Sequence, residues 1–382
     1  MTAREARAWP TWALVLAVLA WVLAWVLTFH WGGSSNFDLR IYRAAERTLS
    51  GGHTYTIHFS RAHLRFTYPP FALLLLSPLA FVPLVALEVT WWVVSEAALV
   101  TISYLALTGA TRLRGRQALV LAALIAGVAQ CALEPLRSNA DYGQINVLLM
   151  LLIVTDITRV RKPWRGLLVG LAAAIKLTPL LYLVYFLIER DLRSALRAGA
   201  AFLGAGILAW AVLPSDSAFY WLHQVAQPQH TGNVNYVSNQ SWLGLAHRAP
   251  FHADHLGIAL WCVLELATLA AGIIAANRLV RLDRKIDALL ALALTELLIS
   301  PISWSHHWSW LILVPIVIIG RLCEHRRLPV AMVLVLAIAI LEPYWWGLSG
   351  WFGALADDSL LLFGAILLAS MTPTGKLSAP SS

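Results

Sequence analysis

The chain has 382 residues, 59% of them hydrophobic and only 13% charged, with a mean hydropathy of +0.70; each membrane crossing needs about 20 mostly apolar residues, so this balance marks a polytopic membrane protein and excludes a set of separate soluble domains. The net charge of +8 comes from 24 Arg and four Lys, and in so apolar a chain that excess belongs to cytoplasmic loops, which excludes a nucleic-acid-binding surface. Cys131, Cys262 and Cys323 are odd in number, lack the spacing of a disulfide framework or zinc site, and read as packing residues.

Arg4 and Arg7 place the N-terminus in the cytoplasm by the positive-inside rule. The Trp-rich run Thr11 to His30 is too long for a signal peptide and lacks a small-residue cleavage site, so it is read as a retained first helix. Residues 31–66 then form an outer loop. The stretch 68–82 is short and carries Pro69, Pro70 and Pro78, with Pro83 following, which suits an in-plane or re-entrant segment better than a crossing.

Residues 84–109 return to Arg112, Arg114 and Arg116 inside, and a crossing at 117–134 leads to an outer turn with Glu134, Arg137, Asn139 and Asp141. Residues 144–158 come back to Arg159, Arg161 and Lys162. Basic residues flank 166–189 on both sides, so this segment is expected to be a hairpin broken at Lys176-Leu177-Thr178-Pro179 near the outer face. Residues 195–213 emerge into a second outer loop, 214–256. Further crossings are expected near 257–278, 286–300, 308–321, 329–345 and 352–371. The expected architecture is an all-α membrane helix bundle, a single transmembrane domain over residues 1–371 with about 11 to 13 membrane segments, followed by a polar cytoplasmic tail at 372–382. No internal repeat is visible.

With this topology every polar cluster falls on the outer side: Asp38 to Arg47, Asp141 to Asn146, Lys176, Asn235 to Gln240 and Ser303 to His307. Asp38 stands out because a carboxylate at membrane depth costs roughly 2.5 to 3.5 kcal/mol on insertion scales. A carboxylate that can accept a proton, set against cations and imidazoles that can hold an anionic leaving group, suits group transfer from a phosphate-activated donor. On the outer face that donor is a lipid phosphate. There is no GxxxxGK[ST] or GxGxxG loop and no metal-spaced His or Cys cluster. On a helix His306 and His307 would point about 100° apart, which suits phosphate contact or a supporting role better than ligation of one metal.

Several motifs in order are similar to glycosyltransferase family 87, which includes actinobacterial polyprenyl-phosphate-mannose-dependent α-1,2-mannosyltransferases. These are Phe37-Asp38-Leu39-Arg40-Ile41-Tyr42-Arg43, Phe66-Thr67-Tyr68-Pro69-Pro70-Phe71, Gly143-Gln144-Ile145-Asn146, Lys176-Leu177-Thr178-Pro179, Asn239-Gln240-Ser241 and Ser300-Pro301-Ile302-Ser303-Trp304-Ser305-His306-His307-Trp308. The resemblance implies a C-type glycosyltransferase fold with in-plane helices in the first outer loop, an inverting mechanism on a β-linked polyprenyl phosphosugar, and a catalytic aspartate in that loop. It implies no required metal or other cofactor. Arabinofuranosyltransferases share the family, so the resemblance leaves the transferred sugar open.

Asp38 is accordingly expected to be the catalytic base, a role compatible with capping an in-plane helix. His306, His307, Lys176 and Arg43 are expected at the donor phosphate, although the histidines also suit an interfacial aromatic belt and Lys176 could snorkel to the interface. Arg40, Tyr42, Tyr68, Gln144, Asn146, Asn239 and Gln240 are expected to bind substrate; the four amides could equally tie helix ends together. Mid-helix Glu96, Glu265 and Glu296 read as interhelical partners.

The expected function is mannosyl transfer to a hydroxyl of a lipid-anchored glycan, of phosphatidylinositol mannoside or lipomannan type, in the plasma membrane with the site facing outward. Its partners would be the polyprenyl-phosphate-sugar donor, the glycolipid acceptor and membrane lipids, with no nucleic acid and no obligate protein partner. A secondary transporter is the rival from another class; the absence of repeated halves and the gathering of polar residues on one face weigh against it.

Overall fold

The computed structural model describes residues 11–26, 36–46, 48, 54–59, 64–227, 232–248 and 255–371; the expected tail at 372–382 and parts of the first outer loop lie outside them. Helix α1 (Thr11–Val26) is followed by α2 (Phe37–Glu46), α3 (Pro70–Leu76) with a 3-10 extension over Ser77–Phe81, α4 (Leu84–Ala110) and α5 (Gly115–Ala132). Next come α6 (Glu134–Tyr142), α7 (Asn146–Thr158), α8 (Leu167–Ile175), a 3-10 turn at Thr178–Tyr182, α9 (Leu183–Ile188) and α10 (Leu192–Val212). The rest comprises α11 (Pro214–Phe219), α12 (Trp242–Arg248), α13 (His255–Arg281), α14 (Lys285–Ile299), the 3-10 segment Ser305–Ile312, α15 (Leu313–Cys323), α16 (Val330–Leu341), α17 (Gly350–Asp357) and α18 (Ser359–Ser370). Among the described residues five helices are long and apolar enough to cross a membrane, or seven if each bent pair counts as one.

Apolar side chains point outward along the long helices. Leu203 and Ile207 on α10 are 60% and 69% exposed, and Val263 and Leu266 on α13 are similarly open. Helices apolar all round have nowhere to put these faces except lipid. The packed interior centres on α14, whose residues from Ile286 to Leu298 are buried apart from Glu296.

Two local devices position the site. The first is the corner between α6 and α7, where the expected outer turn is a helix of nine residues that meets α7 at 114°. Gly143 makes the corner with a left-handed φ of 66°, and a Cβ there would lie 2.7 Å from Leu39 Cβ, so glycine is required by both the backbone and the close passage of α2. The second is the segment 166–189, which doubles back at Lys176. Gly166 and Gly170 let α8 press against α10, where a Cβ on Gly170 would collide with Ala198 O. Asp156 caps α8 by accepting from the backbone N of Gly166 (2.7 Å) and Val169 (2.9 Å). Arg165 pairs with Glu189 and with Asp191 (3.3 Å), joining the two feet of the hairpin.

The structure departs from two further expectations. The expected in-plane helix of the first polar loop is α2, whereas the second polar loop, read as a plain loop over 214–256, carries α11 and α12. Cys262 and Cys323 are exposed instead of packed, because they fall on the outward faces of α13 and α15.

Candidate active site

Helix α2 starts at Phe37, so Asp38 lies in its first turn, and Asn36 N donates to Asp141 O at 2.8 Å, tethering this turn to α6. Asp38 Oδ2 accepts from Gln144 Nε2 at 2.7 Å. Gln144 Oε1 is within 3.2 Å of the Tyr42 hydroxyl and 3.0 Å of the Tyr68 hydroxyl, and the two phenols are 2.9 Å apart. With one hydrogen each, at least one phenol donates to Oε1, which fixes the amide with its NH₂ toward Asp38. Burial raises both phenol pKa values and keeps those hydrogens in place. Asp38 retains some access but is enclosed by protein; that desolvation pushes its pKa up to about 6, against the opposing pull of Gln144 and of the Lys176 charge.

The break after α8 delivers Lys176 beside this pair. Its Nζ donates to Asn146 Oδ1 at 2.8 Å and to His307 Nε2 at 3.1 Å, and it stands 5.7 Å from the centre of the Tyr68 ring. An ammonium only donates, so Nε2 of His307 must be an acceptor and the ring neutral with its hydrogen on Nδ1. Two of three ammonium hydrogens are thereby used. Asn146 is held in turn, its Nδ2 donating to Asn139 Oδ1 (3.2 Å) and His306 O (3.4 Å).

His306 and His307 lie on the 3-10 segment Ser305–Ile312. Glu134 anchors its start by accepting from Ser305 Oγ (2.9 Å) and from the Tyr344 hydroxyl (2.7 Å). The two imidazoles meet edge to face at 4.8 Å. Only His307 reaches Lys176. His306 is buried against Tyr142, and neither of its ring nitrogens has a hydrogen-bond partner among the described residues.

Lys176 and His307 open onto a small cleft, whose other walls include Asn146, Thr178, Glu296, Ser300, Ser303 and Trp310. Asp38 is not in its lining and sits beyond Lys176. Glu296 is the residue that sequence reasoning missed as part of the site. Glu265 proves to be an intrahelical partner, accepting from Trp261 Nε1 at 2.7 Å, and Glu96 is buried on α4 away from this cleft. Among the described residues no three His, Cys, Asp or Glu side chains are grouped so as to hold a metal ion.

Asp38, Tyr42, Tyr68, Gln144, Asn146, Lys176, His306 and His307 are thus brought together, whereas four expected ligands are not. Arg43 was expected at the donor phosphate, yet its Nε donates to Val82 O at 3.1 Å, because it lies about 140° around α2 from Asp38. Arg40 is about 160° away on the far side and pairs with Glu88 at 2.9 Å. Asn239 and Gln240 were expected to bind substrate but are fully buried and their amides are spent on backbone. Asn239 donates to Val234 O and Pro301 O and accepts from Ser303 N; Gln240 donates to Val237 O and Asp357 O and accepts from Leu361 N. They pin the chain before α12 to the segment before the histidines and to the start of α18.

Residues 66–301 match the model of glycosyltransferase family 87, a span that holds Tyr68, Gln144, Asn146, Lys176 and Glu296. The chain belongs to glycosyltransferase family 87. Relatives cover more of it. It is 35% identical to the polyprenol-phosphate-mannose-dependent alpha-(1-2)-phosphatidylinositol mannoside mannosyltransferase of Mycobacterium tuberculosis, over 96% of this chain and 92% of that protein. It is 33% identical to the protein of the same description from Mycolicibacterium smegmatis, over 81% of this chain and 74% of the relative. A phosphatidylinositol pentamannoside mannosyltransferase of Mycobacterium tuberculosis is 38% identical over 81% of this chain and 72% of its own length. The family resemblance read from the motifs is therefore correct, and the protein is a membrane-embedded glycosyltransferase.

Proposed function

We propose that this family 87 enzyme transfers mannose from a polyprenyl phosphate carrier to a hydroxyl of a lipid-anchored phosphatidylinositol mannoside, forming an α-1,2 linkage with inversion. The observation that carries the reading is the nearness of a carboxylate, Asp38, held by Gln144, to an ammonium, Lys176, that keeps one hydrogen uncommitted beside the cleft. The relatives' names supply the donor and acceptor classes.

The chemistry follows from the side chains. The acceptor oxygen attacks the anomeric carbon on the face opposite the phosphate, and its proton passes to Asp38 Oδ1, which accepts no hydrogen bond among the described residues. The bond from the anomeric carbon to the phosphate oxygen breaks, and its electron pair leaves on polyprenyl phosphate. Lys176, steadied by Asn146 and His307, faces the growing negative charge. Attack from the opposite face inverts a β-linked donor to an α product. In this reading the reaction takes place at the outer leaflet of the plasma membrane, the side to which the basic loops assign Asp38 and Lys176 by the positive-inside rule.

The test is transfer in membranes or detergent from radiolabelled polyprenyl-phosphate-mannose to purified phosphatidylinositol mannosides, with the product linkage read by α-mannosidase digestion and mass spectrometry. Labelled glycolipid carrying a new α-1,2 bond is expected. Uptake of label without new glycolipid would identify a transporter, and transfer only from polyprenyl-phosphate-arabinose would move the sugar assignment.

A further inference from the structure

The cleft has two chemically different walls. On one, Lys176, Asn146 and His307 satisfy each other and present a cation. The other carries Glu296 and Ser303, and both hold buried polar atoms, Glu296 Oε2 and Ser303 Oγ, with no hydrogen-bond partner among the described residues. The hydroxyls of Thr178 and Tyr182 act as donors toward the Glu296 carboxylate and the Lys176 charge acts on it, yet its Oε2 lacks a close partner among the described residues. A buried carboxylate oxygen without a donor costs about 1 to 3 kcal/mol or more, so native proteins keep such atoms where something else supplies the donor. A phosphate is a poor partner for an ionised Glu296, because like charges repel. A sugar hydroxyl is a good one, since it donates to a carboxylate and accepts from a serine.

We propose that Glu296, with Ser303, grips hydroxyls of the transferred sugar while Lys176 faces the donor phosphate, and that Glu296 sets the sugar specificity of the enzyme. The proposal rests on the donor reading above and adds the residue that recognises the sugar. Sites built to hydrogen-bond a substrate hydroxyl reject the analogue lacking it strongly, by up to about 10⁴-fold or more, because the protein group is left unpaired.

The experiment compares kcat/KM for polyprenyl-phosphate-mannose and its 2-, 3-, 4- and 6-deoxy analogues in the wild type, Glu296→Gln and Glu296→Ala, each checked for folding by size exclusion and thermal melting. Wild type should reject at least one deoxy donor by 100-fold or more. Glu296→Ala should lose most of its activity on the full donor yet discriminate against that same deoxy donor by less than tenfold, with the other analogues ranked as before. Glu296→Gln, which still accepts one hydrogen bond, should fall between them and decides the matter if the Ala variant does not fold. A uniform loss across all donors would overturn the proposal and leave Glu296 as a counter-charge for Lys176. If wild type transfers no mannose from the full donor, the donor reading itself fails, which is a distinct result.

Discussion

Gln144 Nε2 lies 2.7 Å from Asp38 Oδ2, although 106 residues separate the two in the chain. The amide cannot turn away, because Tyr42 and Tyr68 hold its other end. Helix α2 is therefore registered against the corner of α6 and α7 by a polar chain that ends on the proposed base.

Replacing Asp38 by Asn keeps the size of the side chain and removes the base. We expect normal yield and membrane insertion, retained donor binding and a loss in transfer rate on the order of 10² to 10⁴. Wild-type turnover by this variant would assign Asp38 a structural role in the first turn of α2.

The raised pKa gives a pH dependence of defined sign. Asp38 must be ionised to take a proton, so kcat/KM should fall as the medium is acidified through about 6, and it should fall again above about 8, where burial makes Lys176 lose the proton its role requires. The Gln144 hydrogen bond favours the carboxylate, so Gln144→Leu should move the midpoint upward. An acidic limb with the same midpoint in both proteins would belong to another group.

Lys176→Met should impair donor use more than either histidine variant. A hydrogen bond to a charged group contributes about 1.5 to 3 kcal/mol, equivalent to roughly 10- to 100-fold in kcat/KM. His307→Ala removes a direct partner of the ammonium and should cost more than His306→Ala, which touches no cation. Equal and small effects of the two histidine variants, measured at subsaturating donor, would make both rings packing residues.

Gly143→Ala tests the corner. Alanine tolerates φ of 66° poorly and its Cβ would press on Leu39. The melting temperature in detergent should drop, and the transfer rate should fall further than stability explains because α2 carries the base. An unchanged melt and rate would show that the corner can relax.

Side-specific labelling tests the orientation. In a background without the native cysteines, Asn235→Cys should react with a membrane-impermeant thiol reagent added outside, and Arg116→Cys should not; both positions are exposed. The reverse pattern would put the site on the cytoplasmic face and remove the outer-leaflet donor.

Much of this arrangement was legible residue by residue. Asp38 stood out as a carboxylate beside apolar runs, and Lys176-Leu177-Thr178-Pro179 announced a break because proline cannot continue a helix. The misplacement of Arg40 and Arg43 had an available signal, since a helical wheel of the expected in-plane helix puts them behind Asp38. Glu296 had none: the run from Ala288 to Ile299 is largely apolar on every side of it, so its position does not reveal which neighbour it faces. Asn239 and Gln240 sit in a polar loop like sugar ligands, and only their backbone partners show that they tie chain segments together.

The cation that faces the cleft is clasped by an imidazole 131 residues further along the chain. At about 5 to 20 residues per second of synthesis, that partner leaves the ribosome roughly 7 to 26 s after Lys176. A nascent chain already anchored in the bilayer thus holds its base and its cation but lacks the clasp and the far wall of the cleft. A chain ended before Ser305 would keep Lys176 but could not form the clasp that holds its charge toward the cleft.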